Sequence, residues 1–158
     1  MKILVINAGS SSLKYQLIDM DTEKMMAKGI CDRIGTEESF IKYQKAGESA
    51  KKTPRAIPNH VQAFRLVTQA LLDGETGVIS SLSEISAVGH RIAQGGSLFR
   101  QSVLVTDEVL RGIQSLIPLA PLHNKPEADA VLACREVFGR KMPQCVVFDT
   151  SFHATMPE

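Results

Sequence analysis

The chain has 158 residues, 44% of them hydrophobic and 22% charged, with a net charge of +1. That is the composition of a soluble globular domain large enough for a sizeable core. The near-neutral balance gives no general pull toward nucleic acid or a membrane surface, scarce aromatics (5%, no Trp) argue against base stacking, and no apolar run reaches membrane-spanning length.

In chain order, residues 2–7 and 12–19 read as two strands around Asn7-Ala8-Gly9-Ser10-Ser11-Ser12. This turn offers three hydroxyls, an Asn side chain, Lys14 just beyond it and backbone N–H groups freed by Gly9. It suits a phosphate. An ordinary serine-rich hairpin turn remains an equal reading at this point. No helix follows, and G-x-x-x-x-G-K-[ST] occurs nowhere, so this is not the strand–loop–helix phosphate loop. Residues 25–33 are a third strand candidate and 38–43 a short fourth. Residues 44–58, basic and carrying two prolines, read as a surface loop.

Val61, Phe64, Val67 and Leu71 recur at helical spacing, and Asp73-Gly74 is expected to close that helix. Strands are expected at 86–92 and 102–105, with a helix from Asp107 to Ile117. Asn124, Pro126 and Glu127 resemble a capped helix start, with Ala128, Val131, Leu132 and Phe138 on the apolar side and Gly139 as the stop. Residues 144–148 form an apolar run typical of a strand covered on both faces. The order predicts a mixed α/β fold with helices covering a central sheet. Cys31, Cys134 and Cys145 show no metal or pairing pattern, which fits a reducing compartment. Only four apolar residues follow Lys2, too few for a signal-peptide core, so a cytoplasmic location is expected.

Four segments carry the chemistry: Asn7 to Lys14; His90-Arg91-Ile92-Ala93-Gln94-Gly95-Gly96; Leu119-Ala120-Pro121-Leu122-His123-Asn124; and Phe148-Asp149-Thr150-Ser151-Phe152-His153-Ala154-Thr155-Met156-Pro157. Taken singly, Lys14 reads as a solvent-facing strand lysine, Arg91 as a structural ion-pair partner and His123 as a structural histidine. Together and in this order, the segments resemble the acetate kinase family of short-chain carboxylate kinases, over residues 2–158. The resemblance implies an α/β fold: a ribonuclease-H-like domain of the acetate/sugar kinase–Hsp70–actin superfamily. It also implies that residues 1–158 are the N-terminal domain, with the C-terminal nucleotide-binding half absent and the isolated fragment inactive. The activity implied is reversible, Mg²⁺-assisted phosphorylation of acetate by ATP, with no nucleic acid or membrane partner and a homodimer for the full-length protein.

By the same resemblance, Asn7 helps hold Mg²⁺ and Ser10, Ser12 and Lys14 contact phosphate. Arg91 meets the substrate carboxylate, for which a planar guanidinium fork is suited. Ala93 and Leu122 line the acyl pocket, His123 lies near the moving phosphoryl group, and Asp149 is the family's catalytic acid/base. Short carboxylic acids, with pKa near ~4–5, are already ionised at neutral pH. Asp149 is therefore expected to organise Mg²⁺ and its waters, or to orient Arg91. His90 is expected to be a packing or hydrogen-bonding residue, and His153 has no assigned role.

The sequence departs from the family run His-Arg-Val-Val-His-Gly-Gly at Ala93 and Gln94, and Lys125 interrupts the family's His-Asn-Pro. Ala93 for valine leaves room for one more substrate methylene, making propionate kinase the neighbouring alternative. A non-catalytic ATPase-fold binding module is the alternative from another class. Arg91, His123 and Asp149 argue against it.

Overall fold

The structure, a computed structural model, describes residues 1–92, 103–104, 121–139 and 141–148, with side chains described for 1–90, 128–139 and 141–145. Among the described residues the strands are β1 (Lys2–Ala8), β2 (Leu13–Asp19), β3 (Lys24–Asp32), β4 (Phe40–Lys45), β5 (Lys51–Pro54), β6 (Ile85–Ile92), β7 (Val103–Leu104) and β8 (Gln144–Phe148). The helices are α1 (His60–Leu72) and α2 (Pro121–Phe138), with one 3₁₀ turn at Leu82–Glu84. The strands form one sheet in the order β5-β4-β3-β2-β1-β6-β8-β7. β1 to β5 form an antiparallel meander, β6 runs parallel to β1, β8 runs parallel to β6, and β7 is antiparallel to β8. This is the mixed α/β sheet expected from the sequence.

Strand alternation decides which face is covered. Leu4, Ile6 and Ala8 of β1 and Leu13, Tyr15 and Leu17 of β2 point into the core, and they meet Ala27 and Cys31 of β3. Helices α1 and α2 pack against each other over this face and share its core cluster. Phe64, Val67 and Leu71 of α1 are fully buried, as their spacing requires, and Phe64 meets Phe138 of α2 edge-to-face with ring centroids 6.4 Å apart.

Several expectations need correction. Residues 44–58 are not all loop: Lys45 ends β4, and Lys51–Pro54 form β5 at the sheet edge. This strand owes nothing to apolar content. Its lysines and terminal proline are what an exposed edge tolerates, and Lys52 sits 4.1 Å above the Phe40 ring. Helix α1 does end at Asp73-Gly74, as expected. Asp73 leaves the helical conformation, and its carboxylate accepts the N–H groups of Glu75 and Thr76. Asn124 is not an N-cap, because it lies inside α2, Pro121–Phe138. Leu132 is 41% exposed, whereas the expected Ala128 and Val131 are buried, joined by Ala130, Ala133 and Cys134. Gly139 does close α2, at φ 88°. The expected helix 107–117 lies outside the described residues.

The turn at 82–84 is tied to the start of β1. Glu84 accepts from the N–H of Ser81 and from Lys2, whose ammonium is 2.8 Å away. The Lys2 hydrogen bond, followed by the Ser80 and Ser81 amides, holds the Glu84 carboxyl down at about 2.

Tyr15 lies opposite Gly29 in the β2–β3 register, and its hydroxyl donates to the Lys42 carbonyl one strand further on, at 2.9 Å. The ring can cross β3 only because Gly29 has no side chain; a Cβ there would overlap both the Lys42 carbonyl oxygen and the Tyr15 hydroxyl. Gly29→Ala is expected to lower stability by roughly 3 kcal/mol, the upper range for forced overpacking. The urea midpoint measures this, and an unchanged midpoint would contradict the packing described.

Candidate functional site

The C-terminal ends of the parallel strands β1, β6 and β8 lie at one edge of the sheet, where ligands gather in α/β folds. β1 runs out through Asn7 and Ala8 into the turn 9–12, and β2 returns from Leu13. Asn7 pairs with Lys14 across the hairpin. On the other side, β6 is in register with β1 up to Ile6 and His90. The next residues are Asn7 in β1 and Arg91 in β6, and Arg91 pairs with Val147 of β8. The register thus brings Asn7, Lys14 and the Arg91 backbone to adjoining positions.

The turn itself is exposed at Ser10 and Ser11 and half-buried at Ser12. The Gly9 N–H donates to the Ser12 carbonyl at 2.9 Å, which closes the bend. Ile34 N–H donates to the Ser11 carbonyl at 2.8 Å. His60, at the start of α1, approaches from below, with Nε2 2.9 Å from the Gly9 carbonyl and 3.3 Å from the Ser12 carbonyl. Among the described residues nothing accepts from the N–H groups of Ser10, Ser11 or Ser12. Three N–H groups without a described acceptor and three hydroxyls on an exposed bend are a donor set suited to an anion.

The charge around the bend agrees. Lys14, Ile30, Lys42 and Lys52 pair successively across β2 to β5, so three lysines stand in one row on the sheet face away from the helices. No carboxylate is paired with Lys14 or Lys42 among the described residues. The row raises the local positive potential beside the turn.

His90 is buried at the centre of the parallel strands, and its Nε2 donates to Gln144 Oε1 of β8 at 2.6 Å. Nδ1 has no partner among the described residues. Burial depresses its pKa to about 4, with the Gln144 bond opposing. His90 is therefore neutral near pH 7 and adds no second positive charge next to Arg91. The expected packing and hydrogen-bonding role is what the structure shows.

A family model described as the acetokinase family matches residues 2–158. The chain belongs to the acetokinase family. The acetate kinase of Thermoanaerobacter pseudethanolicus is 47% identical over 158 residues, which is 100% of this chain and 39% of that protein. The crystal structure of Porphyromonas gingivalis acetate kinase superposes with a TM-score of 0.92 at 39% identity, covering 99% of this chain and 39% of the other. A propionate kinase from Francisella tularensis gives 0.83 at 33% identity, covering 99% and 38%. The chain thus spans about two fifths of the length of the acetokinase-family proteins it matches.

Of the residues singled out from the acetokinase pattern, Asn7, Ser10, Ser12 and Lys14 lie together on the hairpin. Arg91 is placed beside them by its backbone. Leu122 and His123 lie inside the first turn of α2, so His123 does not precede the helix as expected. Ala93, Asp149 and His153 lie outside the described residues; Asp149 follows directly on Phe148, the last residue of β8. Among the described residues no three His, Cys, Asp or Glu side chains cluster to hold a metal. The half-buried Asn7 offers one neutral oxygen, which fits Mg²⁺ carried chiefly by water and phosphate oxygens. His60 was not legible as a site residue, since a single histidine after Pro58-Asn59 reads only as a helix start.

The buried imidazole makes stability depend on acid. Its folded pKa of about 4 lies below the ordinary 6.5, so the unfolded chain binds the extra proton first. The His90 contribution is fully present above pH 6.5 and is lost as pH falls toward 4, by about 3 kcal/mol. Urea melts at pH 7, 5.5 and 4 should show this slope, and His90→Gln should flatten it.

Proposed function

We propose that residues 1–158 are the N-terminal, ribonuclease-H-like half of an ATP-dependent short-chain carboxylate kinase, with acetate as the principal acceptor. What carries this reading is the adjoining placement of the serine turn, Asn7, Lys14 and Arg91 at the ends of parallel strands. In the reaction, one oxygen of the acetate anion attacks the γ-phosphorus in line, the bond to the bridging oxygen breaks, and ADP leaves with the charge. No proton is removed from the nucleophile, so no general base is required in this direction. The protein's task is positioning and charge compensation.

The free amides at Ser10 and Ser12 and the Lys14 ammonium cradle the nucleotide's terminal phosphates. Arg91 grips the acetate carboxylate through two parallel N–H bonds. Ala93 and Leu122 wall the methyl group, and His123 donates a hydrogen bond to the phosphoryl oxygens. Asn7 and Asp149 would hold Mg²⁺, which supplies charge neutralisation on the phosphates. Asp149 orients waters or Arg91 and takes no proton. The remaining length of the relatives would supply the adenosine side of the cleft, so the complete protein is the active species, a cytoplasmic homodimer on the family pattern.

In the complete enzyme, Arg91→Ala is expected to raise the KM for acetate by roughly 10- to 100-fold, the range of a lost charge-assisted pair, while the KM for ATP moves little. Steady-state kinetics with each substrate varied would check this. An equal rise in both constants would remove Arg91 from the carboxylate site.

Ala93 supports a second substrate. Space for one methylene is worth roughly 0.8 kcal/mol, about fourfold in binding. Propionate should therefore be used within a hundredfold of acetate, and Ala93→Val should shift the ratio toward acetate. A kcat/KM comparison of the two acids decides it.

A further inference from the structure

The Gly9–Ser12 turn is exposed at its tip, yet three of its four carbonyls are held. Gly9 and Ser12 carbonyls face His60, and the Ser11 carbonyl takes the Ile34 N–H. Carbonyl oxygens only accept, so His60 Nε2 must carry the hydrogen and share it between the two. A peptide group is planar and trans, so its N–H points opposite to its C=O. Holding the Gly9 carbonyl inward aims the Ser10 N–H outward, and holding the Ser11 carbonyl inward does the same for Ser12. These are the amides offered to phosphate.

We propose that His60 is a positioning residue for the phosphate cradle: a latch from the first turn of α1 that fixes the peptide orientations of the Gly9–Ser12 bend. Its site has the required rigidity. Asn59 caps α1 by accepting the Gln62 N–H at 3.0 Å, and the helix is anchored by buried Ala63 and Phe64, three and four residues after the histidine. The second support, Ile34, is buried and flanked by Arg33 and Gly35, both at positive φ (54° and 85°). The Gly35 N–H donates to the Ile57 carbonyl at 2.7 Å, close to the start of α1. The bend is thus held from the β3–β4 connection and from α1 at once. Glycine at position 9 permits the closeness, since a Cβ there would stand 2.9 Å from Ser12 Oγ. No acid in the first turn of α1 competes for an incoming anion. The proposal rests on the kinase reading above, in that the anion is taken to be the nucleotide's terminal phosphates.

Two measurements test it. In the complete enzyme, His60→Ala should raise the KM for ATP roughly three- to tenfold, the range one hydrogen bond carries, with the KM for acetate unchanged. His60→Gln, whose amide can still donate, should recover most of the loss. Equal effects on both substrates, or no rescue by glutamine, would overturn the latch. The second readout needs no catalysis. Nitrogen-15 spectra should show His60 protonated at Nε2, and titration with inorganic phosphate should shift the Ser10 and Ser12 amides in the wild type and not in His60→Ala. His60 protonated only at Nδ1 would overturn the proposal. Phosphate shifts in an enzyme that phosphorylates no carboxylate would uphold the latch and discard the kinase reading.

Discussion

Parallel pairing of β1 with β6, and of β6 with β8, is what gives this sheet an end at which chemistry can be assembled. Antiparallel neighbours alternate direction, so their termini are dealt to both edges. Three parallel strands deliver theirs to one. The register then fixes the fine placement: Asn7 beside Lys14 on one side, and Arg91 one step past His90 on the other. The interior of this parallel trio is closed by a neutral histidine bonded to Gln144. Burying a polar pair there costs desolvation, which the short hydrogen bond offsets, and it keeps positive charge on the side where an anion would bind.

The hairpin turn shows how an exposed loop can be rigid. The N–H groups of Ser10 and Ser12 are left free while the Gly9, Ser11 and Ser12 carbonyls are held from behind by a helix and by a neighbouring connection. Ordering such a bend before a ligand arrives removes an entropic cost from binding. The cationic row Lys14, Lys42 and Lys52 adds a longer-range attraction without contributing a defined contact.

Much of this was legible in the residues. Alternation in Leu13, Tyr15 and Leu17 and the run Ile3 to Ile6 gave the hairpin, and the spacing of Phe64, Val67 and Leu71 gave α1. The motif set gave the family. What escaped was decided by tertiary context. Lys51 to Pro54 become a strand because β4 offers an unpaired edge, a fact no local pattern encodes. Leu132 is exposed because α2 meets the sheet and α1 with its small residues, Ala130, Ala133 and Cys134, which allow close approach. His60 could not be singled out, because its partners lie about fifty residues away in the chain and are backbone carbonyls, which leave no trace in composition.

The two tyrosines have a practical consequence. The chain contains no tryptophan, so Tyr15 and Tyr43 alone dominate its near-ultraviolet absorption and emission. Each phenol is bonded to a backbone oxygen: Tyr15 across the strands to Lys42, and Tyr43 to Thr76 beyond the end of α1. Burial also pushes both phenols above the ordinary range for ionisation. The protein therefore carries a built-in pair of optical gauges, one reading the seam between strands and the other the docking of the helix onto the sheet, against a background free of indole signal.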